Sequence, residues 1–405
     1  MKRYFIFTLG CVDNQMDSAL YKKYLDLNGW INVDDYSTAD LILINTCGFL
    51  ESKMKETEDT IEKTKEKISK NSKLVICGCY PALNPKRLNE FFEGDFFTPL
   101  TKYKIKDVIG SDMSIYDIND INTIHPIYKD CNYLCSIKER FFDGLKYFYS
   151  PDFIGYTSDL CYIRTGVGCM GECSYCGIKK ARGKIKSKPL DDILFEFKDK
   201  LSRGEKRFVL SGSDIGAYGR DIGLDVLTLL DKILSVEGDY KICIRNFEPM
   251  MLNEMMSGLL SLIRTRKIIS ITIPFQSGSD KVLRLMKRDY DIEMLKFNLN
   301  RVRVANPAMI LLTHALVGFP GEDDNDFKKT LEFLECVLFD SIQLNVYTPH
   351  HATEAAYMSN QVSETIKLTR ANILKKKIYV NMLKSYMKRA SYQFKGIVSA
   401  KSTLE

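Results

Sequence analysis

The sequence predicts an α/β protein with two successive strand-and-helix series, an open parallel sheet and then an incomplete barrel, followed by a helical tail. Three observations predict it. Short apolar runs alternate with amphipathic stretches along most of the 405 residues. The alternation restarts near Asp159, after an irregular aromatic segment. Hydrophobic residues make up 45% of the chain, enough for two or three separate cores.

In the first series, "RYFIFTLG" (3–10) reads as a strand ending in glycine and "QMDSALYKKYLDLNGW" (15–30) as a helix with Gly29 near its end. "ADLILINTC" (39–47) is a second strand, the lysine-rich "ESKMKETEDTIEKTKEKISKNSK" (51–73) a helix, and "KLVICGC" (73–79) a third strand. Strands interleaved with helices imply a flavodoxin-like or Rossmann-like parallel sheet, whose working loops gather at the strand C-termini. Cys11, Cys47 and Cys79 each fall just past a strand, so the topology brings all three to one sheet edge as a candidate metal or cluster site. Cys77, inside its strand, reads as core filler.

Residues 112–155 are aromatic and irregular, and read as the end of the first domain plus a linker. Cys131 and Cys135 lie there at a C-x3-C spacing with no second pair beside them, which points to structural or incidental roles. Six strands then follow, at 161–168, 207–214, 240–247, 268–276, 309–320 and 340–349. Six βα units in about 200 residues fit a partial (β/α)6 barrel, because eight units take about 250. "SETIKLTRANILKKKIYVNMLKSYMKRASY" (363–392) is one long basic helix. The expected domains are therefore 1–145, 155–358 and 359–405.

Composition narrows the class of protein. Twelve cysteines without a secretion signal favour metal binding over disulfides. No run of eighteen apolar residues occurs, so a soluble cytoplasmic monomer without membrane contact is expected. A net charge of +6, from 58 basic against 52 acidic residues, is compatible with a polyanionic partner without demanding one.

"TGVGCMGECSYCGIKKARG" (165–183) places Cys169, Cys173 and Cys176 at C-x3-C-x2-C. Structural zinc takes four protein ligands, whereas three thiolates on an iron–sulfur cluster leave one iron open. With Tyr175 before the last cysteine, and the loop directly after a first barrel strand, the motif resembles the radical S-adenosylmethionine (SAM) superfamily. "TLGCVDNQMDS", "INTCGF" and "CGCYP" resemble the cysteine motifs of the methylthiotransferase N-terminal domain. "LSGSDIGAYGRDIG", "IPFQSGSDKVLRLMKRDY" and "LVGFPGEDDNDFKKTLEF" resemble the radical SAM part of that family. "GAYGRDIG" and "KKARG" most resemble the branch acting on threonylcarbamoyladenosine in tRNA.

The resemblance implies two [4Fe-4S] clusters, a radical one on Cys169, Cys173 and Cys176 and an auxiliary one on Cys11, Cys47 and Cys79. It implies SAM as methyl donor and as radical source, a sulfide or persulfide sulfur source, and a reductant such as flavodoxin or ferredoxin. The product carries C-SCH3 in place of C-H, and both clusters must face one cavity. Ser211, Gly212 and Gly318 are expected beside SAM; Arg245, Gln276 and Asn345 are polar strand-end residues that point the same way, and Tyr347 is a candidate adenine contact.

Family members that modify tRNA or ribosomal protein end in a small β-barrel called TRAM. After residue 358 this sequence offers one helix and a stub, so TRAM is not expected. The substrate reading that follows is a ribosomally made precursor peptide (RiPP maturation), bound in a groove or by strand addition. The alternative is tRNA bearing N6-threonylcarbamoyladenosine at position 37, gripped by Lys375, Lys376, Lys377, Lys384, Lys388 and Arg389 of the tail. The bland reading of that helix packs it on the barrel through Ile373, Ile378 and Met382. A non-enzymatic iron–sulfur electron carrier is the third reading.

Overall fold

The computed structural model describes residues 1–49, 51–118 and 160–401, with 393–401 as backbone only. The expectations for the segment holding Cys131 and Cys135 lie outside the described residues. The chain divides into two compact units. One takes the N-terminal residues with Gly166–Lys186 and Thr348–Tyr357; the other takes the chain just before Gly166, Ser187–Tyr347 and the chain from Met358.

The first unit is built on β1 (Arg3–Thr8), β2 (Ile31–Asn32), β3 (Leu41–Thr46) and β4 (Lys73–Gly78), all parallel in the order β2-β1-β3-β4. All six residues of β3 are buried, because the strand is covered on both faces. Its alternation divides the core. Leu41 and Leu43 pack with Tyr21, Tyr24 and Leu25 of α1 (Val12–Leu27), while Ile42 and Ile44 pack with Met54 and Ile61 of α2 (Glu51–Lys67). Each such side chain contributes roughly 1.5–3 kcal/mol by leaving water. Cys77 is fully buried in the α1 cluster, as core filler should be. Between β1 and β3 the strand order reverses, which makes the carboxyl ends of these two strands a topological switch point. Two short helices complete the part of this unit that matters below, α3 (Cys79–Leu83) and α4 (Ile178–Arg182).

The second unit carries all six expected strands: β5 (Cys161–Arg164), β6 (Arg207–Ser211), β7 (Lys241–Ile244), β8 (Ile268–Thr272), β9 (Ile310–Val317) and β10 (Ser341–Val346). They pair in parallel and in sequence order, from β5 to β10. An order without reversal is that of a partial barrel, with its working loops at the strand C-termini. The tail is α5 (Glu364–Lys401). Its buried stripe runs through Leu374, Ile378, Asn381, Ser385 and Arg389. Asn381 accepts the Phe339 N–H at 2.8 Å and donates to the Val337 carbonyl at 2.8 Å; Ser385 donates to Asp340 at 2.9 Å. Ile373, expected on this face, is 45% exposed, because polar anchors have shifted the packed stripe one residue on. Among the described residues no helix is long and apolar enough to cross a membrane.

Candidate cluster-binding sites

Both cysteine triads lie in the first unit. Cys11 is the N-cap of α1, Cys47 follows β3, and Cys79 opens α3 directly after β4. Two glycines make the approach possible. Gly10 has φ +103°, and a side chain there would meet the Cys47 Cβ at 2.8 Å. Gly78 has φ +96°, and its Cβ would stand 2.5 Å from the Thr46 carbonyl oxygen, so only glycine lets the ends of β3 and β4 close up. Cys79 is buried and Cys47 half-buried, while Cys11 is exposed. Burial pushes the Cys47 thiol up and that of Cys79 up to about 12, the Arg182 guanidinium opposing both.

Asn14 stitches this edge together. Its Nδ2 donates to the Leu9 and Thr46 carbonyls, both at 2.8 Å, and its Oδ1 lies 3.9 Å from Cys79 Sγ. Asn45 Nδ2 in turn donates to the Asn14 carbonyl at 2.7 Å and to Ser18 at 2.9 Å. Arg182 enters from α4. Its Nη1 meets Asp17 Oδ2 at 2.8 Å and its Nη2 meets Asn14 Oδ1 at 2.6 Å, with both charged side chains almost completely buried.

The second triad is held by a tight loop. The Gly171 N–H donates to Cys169 Sγ at 3.2 Å, and the Ile178 N–H to Cys176 Sγ at 3.5 Å. A Cβ on Gly171 would lie 3.4 Å from the Cys169 sulfur and 3.7 Å from that of Cys173, so these two sulfurs flank one point. Tyr175 is half-buried. The segment 348–357 straps this unit: His351 Nε2 contacts the Leu83 carbonyl at 3.0 Å, and the Ala355 N–H donates to the Ser174 carbonyl at 2.8 Å. Ala352 and Ala181 pack beside Cys79 and Leu83.

Among the described residues no three His, Cys, Asp or Glu side chains converge closely enough to hold a single metal ion. Each triad instead offers three thiols, the second with the amide N–H groups of Gly171 and Ile178 facing its sulfurs, a donor set that fits a multinuclear cluster.

In the second unit the remaining expected residues all lie at strand C-terminal ends. Ser211 closes β6 and accepts the Thr165 N–H at 2.9 Å through its carbonyl, and the Gly212 carbonyl accepts from Asn246 at 3.1 Å. Arg245 follows β7. Gln276 is buried beyond β8, with φ +64° and its Oε1 without a hydrogen-bond partner among the described residues. Leu316 of β9 donates its N–H to the Gln276 carbonyl at 2.8 Å and is paired in register with Asn345 of β10. Gly318 follows β9, its N–H donating to Glu322 at 3.1 Å, and the stem of Lys367 fills the space a side chain would need. The Tyr347 ring is buried edge-on to Phe319 at 5.3 Å, with the Lys367 ammonium 5.4 Å from its centroid.

Sequence reasoning missed several polar residues. Asn14, Asp17 and Ser18 sit at i, i+3 and i+4 on the buried face of α1, a polar interruption of a core stripe that is readable in hindsight. In the second unit, burial beside Glu248 pushes the Asp214 carboxyl up to about 7. Burial and the nearby Arg245 and Arg288 hold His314 down to about 4.

A radical SAM superfamily model matches residues 163–334, and the uncharacterized protein family UPF0004 matches residues 3–98. The threonylcarbamoyladenosine tRNA methylthiotransferase MtaB of Thermotoga maritima is 29% identical over 390 residues, spanning 93% of this chain and 82% of that protein. The ribosomal protein uS12 methylthiotransferase RimO of Clostridioides difficile is 31% identical over 375 residues, spanning 91% of this chain and 80% of that protein. The radical SAM methyltransferase TsrM of Kitasatospora setae shares the fold, with a TM-score of 0.59 at 13% identity over 88% of this chain and 77% of its own. With relatives of that identity and coverage, and a match on each side of the chain, this protein belongs to the radical SAM methylthiotransferase family.

Proposed function

We propose that this transferase methylthiolates threonylcarbamoyladenosine in tRNA. The observation that carries the reading is the alignment of a threonylcarbamoyladenosine tRNA methylthiotransferase over 93% of the chain. The relatives reported above act on tRNA or on a ribosomal protein by name. They give no support to a precursor peptide, and the tRNA alternative takes its place.

In this reading Cys169, Cys173 and Cys176 hold one [4Fe-4S] cluster and Cys11, Cys47 and Cys79 the other. The N–H groups of Gly171 and Ile178 lower the energy of the anionic sulfurs they face. Cys47 and Cys79, whose thiols are held up by burial, must lose protons as iron binds, so loading of that triad improves as pH rises. In the second unit Gln276 offers a desolvated acceptor to SAM, in company with Ser211, Gly212, Arg245, Gly318, Asn345 and Tyr347, and in the first unit Tyr175 is a further candidate contact. When bound, these cofactors supply the electron, the methyl group and the sulfur. An electron-transfer protein and a sulfide or persulfide donor complete the reaction in the cytoplasm, with the enzyme as a monomer.

Lys375, Lys376, Lys384 and Lys388 are exposed on α5 and available to phosphates. Lys377 and Arg389 are engaged instead by Glu335 and Asp340.

The test is mass spectrometry of nucleosides from modification-deficient tRNA after anaerobic incubation with the reconstituted protein, SAM, dithionite and sulfide. Gain of a methylthio group on threonylcarbamoyladenosine is expected. Modification of ribosomal protein uS12 instead, the reading favoured by the 31% identical relative, would overturn the tRNA assignment.

A further inference from the structure

Arg182 is 5% exposed, and its ion pair with Asp17 is buried on both sides. Taking such a pair out of water is costly and adds little net stability, so its presence beside a cysteine triad calls for a local reason. The residue stands on the helix that follows Cys176, yet its partners are two residues of α1, Asn14 and Asp17, just beyond Cys11. Anchoring Asn14 Oδ1 also fixes which way that amide points. Nδ2 is then committed to the Leu9 and Thr46 carbonyls, which immediately precede the Gly10–Cys11 turn and Cys47.

The ion pair is also oriented. Arg182 Nη2 donates at 2.6 Å to Asn14 Oδ1, the atom that lies 3.9 Å from Cys79 Sγ, whereas Asp17 takes the other guanidinium nitrogen, Nη1, at 2.8 Å. The triad therefore faces the positive end. A fixed positive charge in a dry surround stabilises the more negative, reduced form of whatever cluster stands there.

We propose that Arg182 is a positioning residue that holds the auxiliary triad in register through Asn14 and raises the reduction potential of the auxiliary cluster. The inference rests on the reading that Cys11, Cys47 and Cys79 hold a cluster. It makes the redox poise of one site depend on a residue carried by the loop of the other.

The test uses the full chain with Cys169→Ala, Cys173→Ala and Cys176→Ala, leaving only the auxiliary triad, and reads iron content and a redox titration followed by electron paramagnetic resonance. About four irons per chain are expected in this background. Adding Arg182→Gln should lower the midpoint so that the reduced fraction at fixed potential falls at least tenfold, about 59 mV for a one-electron couple. Arg182→Lys should recover most of the shift, and Asp17→Asn should move the midpoint the other way. Opposite signs from the two members of one ion pair are something a merely structural role would not produce. If Arg182→Gln loses its iron, the Lys and Asn variants carry the decision by the same signs. Four irons with an unmoved midpoint in all variants overturns the proposal alone; a background without iron overturns the cluster assignment and the proposal with it.

Discussion

Asp214 illustrates how much a single buried proton can matter. Its carboxyl accepts the N–H groups of Gly216 at 3.0 Å and Glu248 at 3.4 Å, and burial, with Glu248 beside it, pushes it up to about 7. Between its ordinary range near about 4 and that value, the folded chain keeps a proton that the unfolded chain has lost. Its stabilising contribution is therefore complete below about pH 4 and disappears as pH rises through 7. Asp214→Asn retains the acceptor and removes the titration. From pH 5 to 8 the wild type should lose on the order of 1–3 kcal/mol relative to this variant, read from urea midpoints; parallel pH profiles would count against it. At this scale the sequence was legible where chemistry follows an apolar run. The placement of Cys11, Cys47 and Cys79 just past strands was readable. Arg182 did not, since Asp17 is 165 residues away and no local pattern joins them.

Elements were legible where burial dictates them. β3 is an unbroken apolar run because both faces are covered, and α1 and α2 supply the two facing stripes. β2 was invisible: it is two exposed residues whose strand conformation exists only because Arg3 and Tyr4 pair with it. The tail helix was placed correctly but its packed stripe was not, since Asn381, Ser385 and Arg389 read as surface residues until Asp340 and the Val337 carbonyl are seen to receive them. This contrast is measurable. Leu374 is fully buried and Leu383 is 50% exposed one face away. Leu374→Ala should cost about 2–5 kcal/mol of unfolding free energy, whereas Leu383→Ala should stay within about 0.5 kcal/mol. Equal losses in chemical denaturation would show that the outer face is packed as well.

Over the whole molecule the decisive feature is that the first unit is assembled from three separated pieces of chain. Arg182 reaches Asp17 from a different piece than the one that carries it, and both side chains are buried, so the ion pair ties two of the pieces together. Breaking such a pair costs about 3–5 kcal/mol. Asp17→Asn should therefore destabilise the full chain by about that amount in urea unfolding; an unchanged midpoint would mean that the ion pair does not hold the pieces together.

The same discontinuity imposes an order of events on the ribosome. The strands around Cys11, Cys47 and Cys79 emerge first; Ala181, which packs beside Cys79, follows before Ser187–Tyr347 of the second unit, and Ala352 only after it. At roughly 5–20 residues per second, that leaves the nascent sheet waiting for tens of seconds with its cysteine edge incomplete. That edge is consequently completed late in the life of the chain, once residues 348–357 have been made.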